Sequence, residues 1–455
     1  MTQEETNTTT KAANTGELMP VENYLYASQI SKELDVKETW MRGWIHDVRN
    51  LGGVAFLLLR DRDLIFQTVV VKGMNKPLFK ELTSIPRESV VAVFGELQFN
   101  EKVKNGFELL VKDFKLISKA ETPLPLGVAD LVEAEMDTRF DNRFLDLRKP
   151  EVAALFKLRS SVLAAIRETL LSQEFLEVNT PKIVATGTEG GTELFKIEYF
   201  EREAYLNQSP QLYKQMLMAT GFDRIYEIAP AFRAEKHDSS HHLNEFSSLD
   251  IEMAFATMAD VMAVLEEVMK TVYRKVLEQN TKEMELLGMD LEAMKKILEM
   301  NFPVITYTEC VDMLKAKDFK IEWGEDLSME ATRVIAANFP DFYFITDWPT
   351  AIKPFYVLPK EGDERVAWGF DLMYKEEELA SGAQRVHDFE LLKKRLDSKG
   401  LNPADFESYL KPFRFGMPYH AGWGFGIDRA IMVLTGQKNV RECVLFPRDK
   451  YRLEP

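Results

Sequence analysis

FRAEKHDSSHHLNEFSSLDIEMAF, residues 232–255, contains the end of an apolar strand, a short polar loop and a second strand. In the second strand, apolar and polar residues alternate through Leu249, Ile251 and Met253, which is typical of a strand with one buried face. Arg233 follows directly after the first strand. Its planar guanidinium can donate two parallel hydrogen bonds, a geometry that suits a phosphate. The stretch therefore predicts an antiparallel hairpin with a candidate phosphate-binding arginine.

A second arginine of this kind lies near the end of the chain, in GWGFGIDRAIMVLTG, residues 422–436. There a glycine-rich strand leads into an apolar helix, and Arg429 stands at the start of that helix. Either arginine taken alone could equally form a surface salt bridge. Together, and in this order, the two segments resemble motifs 2 and 3 of class II aminoacyl-tRNA synthetases, in which two arginines hold ATP in a bent conformation. The resemblance implies an α+β fold, with a catalytic domain built on an antiparallel sheet flanked by helices.

Composition limits the class of protein. The chain has 455 residues, of which 45% are hydrophobic and 29% charged, and this predicts a soluble protein of two or three domains without a membrane partner. Residues 1–24 lack a signal-peptide pattern and are expected to form a flexible polar tail. The two cysteines, Cys310 and Cys443, are far apart, so a reduced, cytoplasmic compartment is expected. The net charge of −16 does not exclude a nucleic acid, because binding needs only a local basic face.

The chain is expected to contain two domains. Residues 25–118 carry five short β-rich runs separated by turn signals, a pattern that predicts an OB-fold barrel. Residues 119–150 contain several prolines and are interpreted as a hinge or linker before a catalytic domain, residues 151–455. That domain starts with a long amphipathic helix, residues 151–173, which with the following LEVNTPKIV resembles motif 1 and implies a homodimer. Helical patterns in residues 256–345 are interpreted as an insertion between motifs 2 and 3.

The resemblance implies a two-step reaction. An amino acid and ATP form an aminoacyl-adenylate, and the amino acid is then transferred to the ribose of tRNA. In-line displacement of this kind is catalysed by positioning and by neutralising charge, and oxygen ligands suit the Mg²⁺ that accompanies the phosphates. The catalytic residues implied are Arg233 and Arg429. Those implied for ATP are Arg233, Glu235, His241, His242, Leu243, Glu378, Gly426, Ile427, Asp428 and Arg429. Those implied for Mg²⁺ are Asp371, Glu378 and Ser381.

The amino-acid substrate is indicated by QSPQLYKQ, residues 208–215, which resembles aspartyl-tRNA synthetases of the archaeal and eukaryotic type. A lysine and an arginine in one pocket would neutralise a side-chain carboxylate, whereas a neutral amide would leave buried charge unpaired. The resemblance therefore implies L-aspartate, with Asp250 organising the lysine. The residues implied for aspartate are Glu189, Gln211, Lys214, Arg233, Asp250, Ser381 and Arg385.

The barrel is expected to bind the anticodon, because OB-folds hold single-stranded bases by stacking and by edge hydrogen bonds. The resemblance implies that Phe56 and Gln67 contact the central base and that Arg49 supplies a basic contact. Without the resemblance, Phe56 would be interpreted as a residue of the barrel core. Near the first anticodon base, His46 can donate or accept directionally, whereas Lys104 contacts phosphate or bases with little selectivity. His46 therefore favours tRNA(Asp) alone, and tRNA(Asn) stays open as a second substrate.

Two other functions remain open at this stage. An asparaginyl-tRNA synthetase is similar overall, but it lacks the lysine at the position of Lys214. A catalytically silent, synthetase-like binding protein belongs to a different class of function. The presence of Arg233, Asp371, Glu378 and Arg429 argues against this second alternative.

Overall fold

The chain divides into two compact units, Met1–Leu145 and Asp146–Pro455. The computed structural model describes residues 24–62, 64–129, 134–185, 187, 193–236 and 239–455. The expected N-terminal tail, residues 1–24, therefore lies outside the described residues except for Tyr24, which pairs with Trp40. Within the described ranges, none of the helices has the length and hydrophobicity that crossing a membrane requires.

Unit 1 contains a closed β-barrel, as the sequence predicts. Its elements are β1 (Glu38–Asn50), β2 (Val54–Arg60), β3 (Ile65–Val71), α1 (Lys76–Leu82), β4 (Val90–Phe99) and β5 (Phe107–Ser118). The strand order is β1-β2-β3-β5-β4. Every second side chain of β2 points into the barrel core. Ala55, Leu57 and Leu59 are fully buried, while the residues between them are half-buried. The OB-fold prediction is confirmed.

The segment after the barrel contains helices. These are α2 (Met136–Asp141) and α3 (Arg143–Asp146), and the boundary between the two units falls inside α3. The linker expected at residues 119–150 is thus partly helical. Its prolines at the N-terminal side, Pro123 and Pro125, precede both helices and do not interrupt them.

Unit 2 is built on a large mixed sheet. Its strands and those of two small sheets are β6 (Leu176–Glu177), β7 (Ile183–Val184), β8 (Lys196–Tyr199), β9 (Arg202–Leu206), β10 (Arg224–Phe232), β11 (Glu245–Ala254), β12 (Val304–Thr306), β13 (Phe342–Thr346), β14 (Pro359–Lys360), β15 (Asp363–Ala367), β16 (Gly369–Tyr374), β17 (Glu377–Gln384) and β18 (His420–Gly426). The eight-stranded order among the described residues is β12-β13-β16-β17-β18-β11-β10-β6. Only the outermost pairs, β12 with β13 and β6 with β10, are parallel, so the expected antiparallel architecture is confirmed.

Helices cover this sheet. They are α4 (Pro150–Ser172), α5 (Gln211–Leu217), α6 (Met258–Gln279), α7 (Thr281–Leu287), α8 (Leu291–Glu299), α9 (Tyr307–Lys315), α10 (Met329–Ala336), α11 (Phe389–Ser398), α12 (Glu407–Arg414) and α13 (Ile427–Thr435). The largest core joins α4 and α6 to one face of the sheet, where Leu249, Ile251 and Met253 of β11 are buried. Alternation then directs Asp250 and Glu252 of the same strand to the opposite face.

The segment expected as a helical insertion, residues 256–345, differs from that interpretation. It carries α6 to α10, and it also supplies β12 and β13 at one edge of the main sheet. Both strands are short, and β13 is buried at every position, so neither shows the alternation that marks a half-buried strand. The segment is part of the sheet itself.

Candidate functional site

A cleft on the sheet face opposite α4 and α6 collects most of the residues expected from the sequence. It has a volume of about 360 Å³ and adjoins a second chamber of about 380 Å³. The expected residues that line the cleft are Gln211, Arg233, Glu235, His241, His242, Leu243, Asp250, Glu378, Ser381, Arg385, Gly426, Asp428 and Arg429. Asp371 lines the second chamber, and the side chain of Ile427 packs in the core instead. Glu189 lies outside the described residues.

Two buried cations, Lys214 and Arg385, are each paired with a carboxylate of β11. Arg385 and Asp250 line the cleft, whereas Lys214 is not among the residues that line it. Lys214 Nζ on α5 donates to Asp250 Oδ1 at 2.9 Å and to Trp423 O at 3.0 Å. Arg385 follows β17 and donates from Nε and Nη2 to the carboxylate of Glu252 at 2.9 and 3.2 Å. All four charged side chains are at most 5% exposed. Since desolvated charges are stable only when paired, this cluster is fixed before any substrate enters.

The glycines of β18 make room for these carboxylates. In the sheet register, Glu252 lies opposite Gly422 and Asp250 opposite Gly424. A Cβ at position 422 would overlap Glu252 Oε2, and a Cβ at position 424 would lie 3.2 Å from Asp250 Oδ1. The glycine-rich sequence of the strand thus follows from two acidic side chains that lie across it.

The Arg385 guanidinium uses only Nε and Nη2 to bind Glu252. Burial alone would lower its pKa, but the charge and hydrogen bonds of Glu252 outweigh that effect and the pKa is raised. The guanidinium carbon also lies 5.4 Å from the centre of the Tyr356 ring. Of the described residues, none accepts a hydrogen bond from Nη1. Because Arg385 also lines the cleft, this edge is placed to receive a small carboxylate.

Arg233 and Arg429 also line the cleft, near Glu378. Arg429 donates from Nη1 to the main-chain oxygen of Glu378 at 3.1 Å and from Nε to that of His241 at 3.4 Å. Arg233 lies over the Phe246 ring at 5.2 Å, and the turn after it is closed by Asn244 Nδ2, which donates to Arg233 O at 2.7 Å. Two arginines on separate elements therefore face one space that can hold a polyphosphate.

The loop between β10 and β11 also orients its own polar residues. His242 lies between Ser239 and Glu235, with Nδ1 2.6 Å from Ser239 Oγ and Nε2 3.5 Å from Glu235 Oε2. His241 Nδ1 is 3.0 Å from Glu377 Oε1. The two histidines thus contact different carboxylates, and the loop bridges from β10 to the β16–β17 hairpin.

Oxygen donors cluster on the β16–β17 hairpin. Asp371 lies directly opposite Ser381, and Glu378 pairs with Met373 next to a bulge. Glu378 is enclosed by the walls of the cleft but open to the solvent inside it. Its reduced hydration, together with the charge of Asp371, raises its pKa to about 7, against the opposing effect of Lys353, Arg429 and Arg233. Neighbouring carboxylates attract cations, and Lys353 Nζ lies 2.9 Å from Asp371 Oδ2.

Asp428, expected at the nucleotide, has a structural partner. It accepts from Arg159 Nη1 of α4 at 2.5 Å and from the main-chain N–H of Ser247 at 2.7 Å. Burial raises its pKa, and the charge of Arg159 opposes that rise. The start of α13, which carries Arg429, is therefore tied to α4 and to β11.

The barrel of unit 1 presents a separate polar face. Phe56 lies opposite Val69, and the neighbouring pair is Leu58 with Gln67. These four residues lie on the outer face and are half-buried, and Phe56 is outside the barrel core. Gln67 Nε2 donates to Glu108 Oε2 at 2.7 Å. The expected stacking residue therefore lies, half-buried, on the outer face of the barrel.

The remaining barrel residues lie at other positions. Arg49 is opposite Phe56 on β1, and its side chain is 71% exposed near Asp47. His46 lies at a bulge in β1, with Nδ1 3.2 Å from Arg60 Nη1. Burial, followed by the charge of Arg60, lowers the pKa of His46. Lys104 is exposed in the turn between β4 and β5.

Three residues of the site were missed by sequence reasoning. Glu252 could have been found, because it lies two positions after Asp250 on the same face of an alternating strand. Arg159 lies on an amphipathic helix where arginine is common, and Lys353 lies in the segment between β13 and β14. Neither carries a local signal, since their roles depend on partners distant in sequence.

Comparisons with known proteins agree with this geometry. The family described as tRNA synthetases class II (D, K and N) matches residues 135–450, and the OB-fold nucleic acid binding domain family matches residues 39–117. The chain therefore belongs to the class II tRNA synthetases of the D, K and N group. It is an aminoacyl-tRNA synthetase, a ligase with an OB-fold domain at its N-terminal side.

Individual relatives and solved structures are also similar to this chain. A protein of Methanocaldococcus jannaschii named aspartate–tRNA(Asp/Asn) ligase is 52% identical, over 94% of this chain and 98% of its own. One of Methanothermobacter thermautotrophicus with the same name is 51% identical, over the same shares. Among solved structures, asparaginyl-tRNA synthetase of Pyrococcus horikoshii with asparaginyl-adenylate has a TM-score of 0.90 at 33% identity, covering 95% and 99% of the two chains. Aspartyl-tRNA synthetase of Entamoeba histolytica has a TM-score of 0.84 at 30% identity, covering 97% and 95%.

Proposed function

We propose that this enzyme is an aspartate–tRNA ligase, which activates L-aspartate with ATP and transfers it to the 3′ end of tRNA. The observation that carries the proposal is the buried cluster of Lys214, Arg385, Asp250 and Glu252, with one edge of Arg385 directed to the cleft. A substrate carboxylate satisfies that edge, whereas an amide of the same size leaves it without an anion. The names of relatives about half identical to this chain support the same substrate.

In this proposal the chain catalyses adenylate formation by positioning and by electrostatics. Arg233 and Arg429 hold the phosphates from opposite sides, so that the substrate carboxylate meets the α-phosphate in line with the leaving pyrophosphate. Glu235, His241 and His242 shape the nucleotide end of the cleft, and Gln211 faces the amino-acid end, next to Lys214 on α5. No covalent enzyme intermediate is required, because the reacting oxygen belongs to the substrate.

Magnesium fits the oxygen donors of the β16–β17 hairpin. We assign Asp371, Glu378 and Ser381 to it, since a divalent cation prefers carboxylate and hydroxyl oxygens. Burial and, after it, the charge of Asp371 raise the pKa of Glu378, and a cation near both carboxylates would oppose that rise. When bound, the ion would neutralise charge on the phosphates and help to orient them.

The expectation that the enzyme charges tRNA(Asp) alone is revised. His46 favoured restriction to tRNA(Asp), but relatives at 51–52% identity are named aspartate–tRNA(Asp/Asn) ligases. The contact between His46 Nδ1 and Arg60 makes Nδ1 an acceptor and leaves Nε2–H as a single donor. One donor does not by itself reject a related base that offers an acceptor. We therefore propose that both tRNA(Asp) and tRNA(Asn) are aspartylated.

An asparaginyl-tRNA synthetase is the second candidate, because a solved enzyme of that specificity shares the fold at a TM-score of 0.90. The fold therefore does not separate the two substrates, and the side-chain pocket must do so. A catalytically silent binding protein is disfavoured, since Arg233, Arg429, Asp371 and Glu378 all lie on the cleft or its adjoining chamber.

We further propose a homodimer in the cytoplasm. The motif 1 region leaves Leu171, Leu176 and Ile183 between 46% and 58% exposed, and apolar surface of this kind is suited to a two-fold interface. Sedimentation equilibrium would test the dimer. A monomer at micromolar concentration would contradict it.

Amino-acid-dependent ATP–pyrophosphate exchange tests the function directly. We expect exchange with L-aspartate and at least about a hundredfold less with L-asparagine at equal concentration. Aminoacylation of tRNA(Asp) and tRNA(Asn) transcripts then tests the proposed second substrate. Exchange with asparagine alone would establish the second candidate, and no exchange with any amino acid would support the silent protein.

A further inference from the structure

Lys353 lies on the carboxylate of Asp371. Its Nζ is 2.9 Å from Oδ2 and 3.1 Å from Oδ1, and both side chains are largely buried, with 14% and 3% exposed. Its Nζ also lies 4.2 Å from the centre of the Trp348 ring. Lys353 lines both the cleft and the adjoining chamber, so it stands where the two meet.

The segment that carries Lys353 is held in place by cations of α11 and of the residue that follows it. Arg395 Nη2 donates to the main-chain oxygens of Thr350 and Pro354 at 3.4 Å each, and Lys399 Nζ donates to Ala351 O at 2.5 Å. Loss of hydration lowers the pKa of both groups, which reflects how closely they are enclosed. The lysine stem also runs beside Gly369, where a Cβ would lie 3.6 Å from Lys353 Cε, at van der Waals distance. The position of Lys353 is therefore built into the fold.

We propose that Lys353 is an internal counter-ion that competes with the divalent cation for Asp371. This inference rests on the proposed function, from which it takes the metal site. An ammonium group bound to both oxygens of Asp371 satisfies the charge that a metal ion needs, and a second cation at the same oxygens would be repelled. Divalent cations should therefore bind weakly to the free protein.

A nucleotide would change this balance. Lys353 borders the cleft in which Arg233 and Arg429 lie, so a polyphosphate bound there gives its ammonium an alternative anionic partner. Release of Asp371 then makes its oxygens available to the metal. Metal and nucleotide should consequently favour each other's binding, and the coupling should act through one lysine.

The test is a titration of the full-length enzyme with Mn²⁺ in the absence of nucleotide, with free Mn²⁺ followed by electron paramagnetic resonance. We expect Lys353→Met to bind Mn²⁺ about tenfold or more tightly than the wild type, because one unit of positive charge is removed at contact distance. Lys353→Gln should show the same gain. Lys353→Arg keeps the charge and should bind as weakly as the wild type, and Asp371→Asn should remove the gain when it is combined with Lys353→Met.

Equal or weaker Mn²⁺ binding by both neutral variants would overturn the proposal. Repeating the titration with a non-hydrolysable ATP analogue tests the coupling, because the analogue should tighten Mn²⁺ binding more in the wild type than in Lys353→Met. An equal effect of the analogue on both proteins would also overturn it. These outcomes are separate from the proposed function, since absence of aspartate-dependent exchange would refute that function and leave the Mn²⁺ result unchanged.

Discussion

Glu252 changes how the amino-acid pocket selects its substrate. Lys214 and Arg385 do not await the substrate as bare positive charges, because Asp250 and Glu252 already pair with them. Selection for a carboxylate must therefore come from the donor edge that remains on Arg385 and from the fixed orientation of the cluster. A pocket of this kind recognises geometry as well as charge.

Removing either cation should abolish this selection. In Lys214→Met or Arg385→Leu, the paired carboxylate stays buried without its partner, at a cost of about 3–5 kcal/mol. We expect kcat/KM for aspartate in pyrophosphate exchange to fall at least about a hundredfold. Lys196→Met, which breaks an exposed ion pair with Glu203, is the control. An aspartate KM near the wild-type value in both Lys214→Met and Arg385→Leu would contradict the assignment.

Phe56 permits a separate test of the barrel. Because it lies on the outer face and outside the core, Phe56→Ala should remove a base stack worth about 1–3 kcal/mol and leave the barrel folded. The KM for tRNA should rise about tenfold, and pyrophosphate exchange without tRNA should not change. Val69→Ala, at the paired position on β3, is the matched control. If both activities decrease equally in Phe56→Ala, the residue supports the fold instead.

Arg159 connects three elements of unit 2. Beyond its bond to Asp428, Nη2 donates to Ser247 Oγ at 2.9 Å and Nη1 to Cys443 O at 3.2 Å. Helix α4, in the motif 1 region, is thereby joined to β11, to the start of α13, which carries Arg429, and to the turn at residues 440–443. We therefore expect the placement of Arg429 to depend on this side chain.

Arg159→Met should therefore weaken ATP binding more than aspartate binding. The free carboxylate of Asp428 would remain buried and would shift the start of α13, so we expect the KM for ATP to rise about tenfold. The KM for aspartate should change less than about twofold. Arg159→Lys restores the charge and should recover part of the ATP affinity, and Lys157→Met on the exposed side of α4 serves as control. Equal changes in both KM values would indicate general destabilisation.

Elements with a clear period could be predicted from the sequence, and those without one could not. Alternation in residues 245–254 and the helical spacing after residue 150 gave β11 and α4 to within a few residues. In contrast, β12 has three residues and β13 is wholly buried, so neither has a pattern that separates it from the surrounding helices. The same limit applies to the site. Arg233 and Arg429 lie in recognisable segments, whereas Lys353 acquires its role only through contact with Asp371.

At the scale of the whole molecule, His420 couples stability to pH. Its Nδ1 lies 2.8 Å from Pro418 O and its Nε2 lies 3.1 Å from Gln215 Nε2, which fits a neutral ring that donates from Nδ1 and accepts at Nε2. Burial lowers the pKa of His420 from 6.5 to about 4, and the charges of Glu252, Arg385 and His387 modify that effect. The folded protein therefore keeps this histidine neutral under conditions where the unfolded chain protonates it.

The free energy of unfolding should consequently fall as the pH decreases from 6.5 to 4. In that range the unfolded state takes up a proton that the folded state does not, which costs about 3 kcal/mol in total. Below pH 4 both states are protonated at this residue and its effect becomes constant. Urea unfolding of His420→Asn, followed by tryptophan fluorescence, should show a free energy of unfolding that depends less steeply on pH over the same range. Parallel profiles for both proteins would contradict the role of His420.

The position of β18 has a consequence for the synthesis of the protein. This strand lies between β17 and β11, yet it includes residues 420–426 and pairs with a strand that ends at residue 254. During translation, β10 and β11 leave the ribosome long before the strand that completes their sheet. We expect the barrel to fold on the nascent chain, since its contacts are closer in sequence, while the larger sheet waits for the last strand. Until then, Asp250 and Glu252 lack their neighbouring glycines, and a ribosome-bound chain truncated before β18 should have no aminoacylation activity.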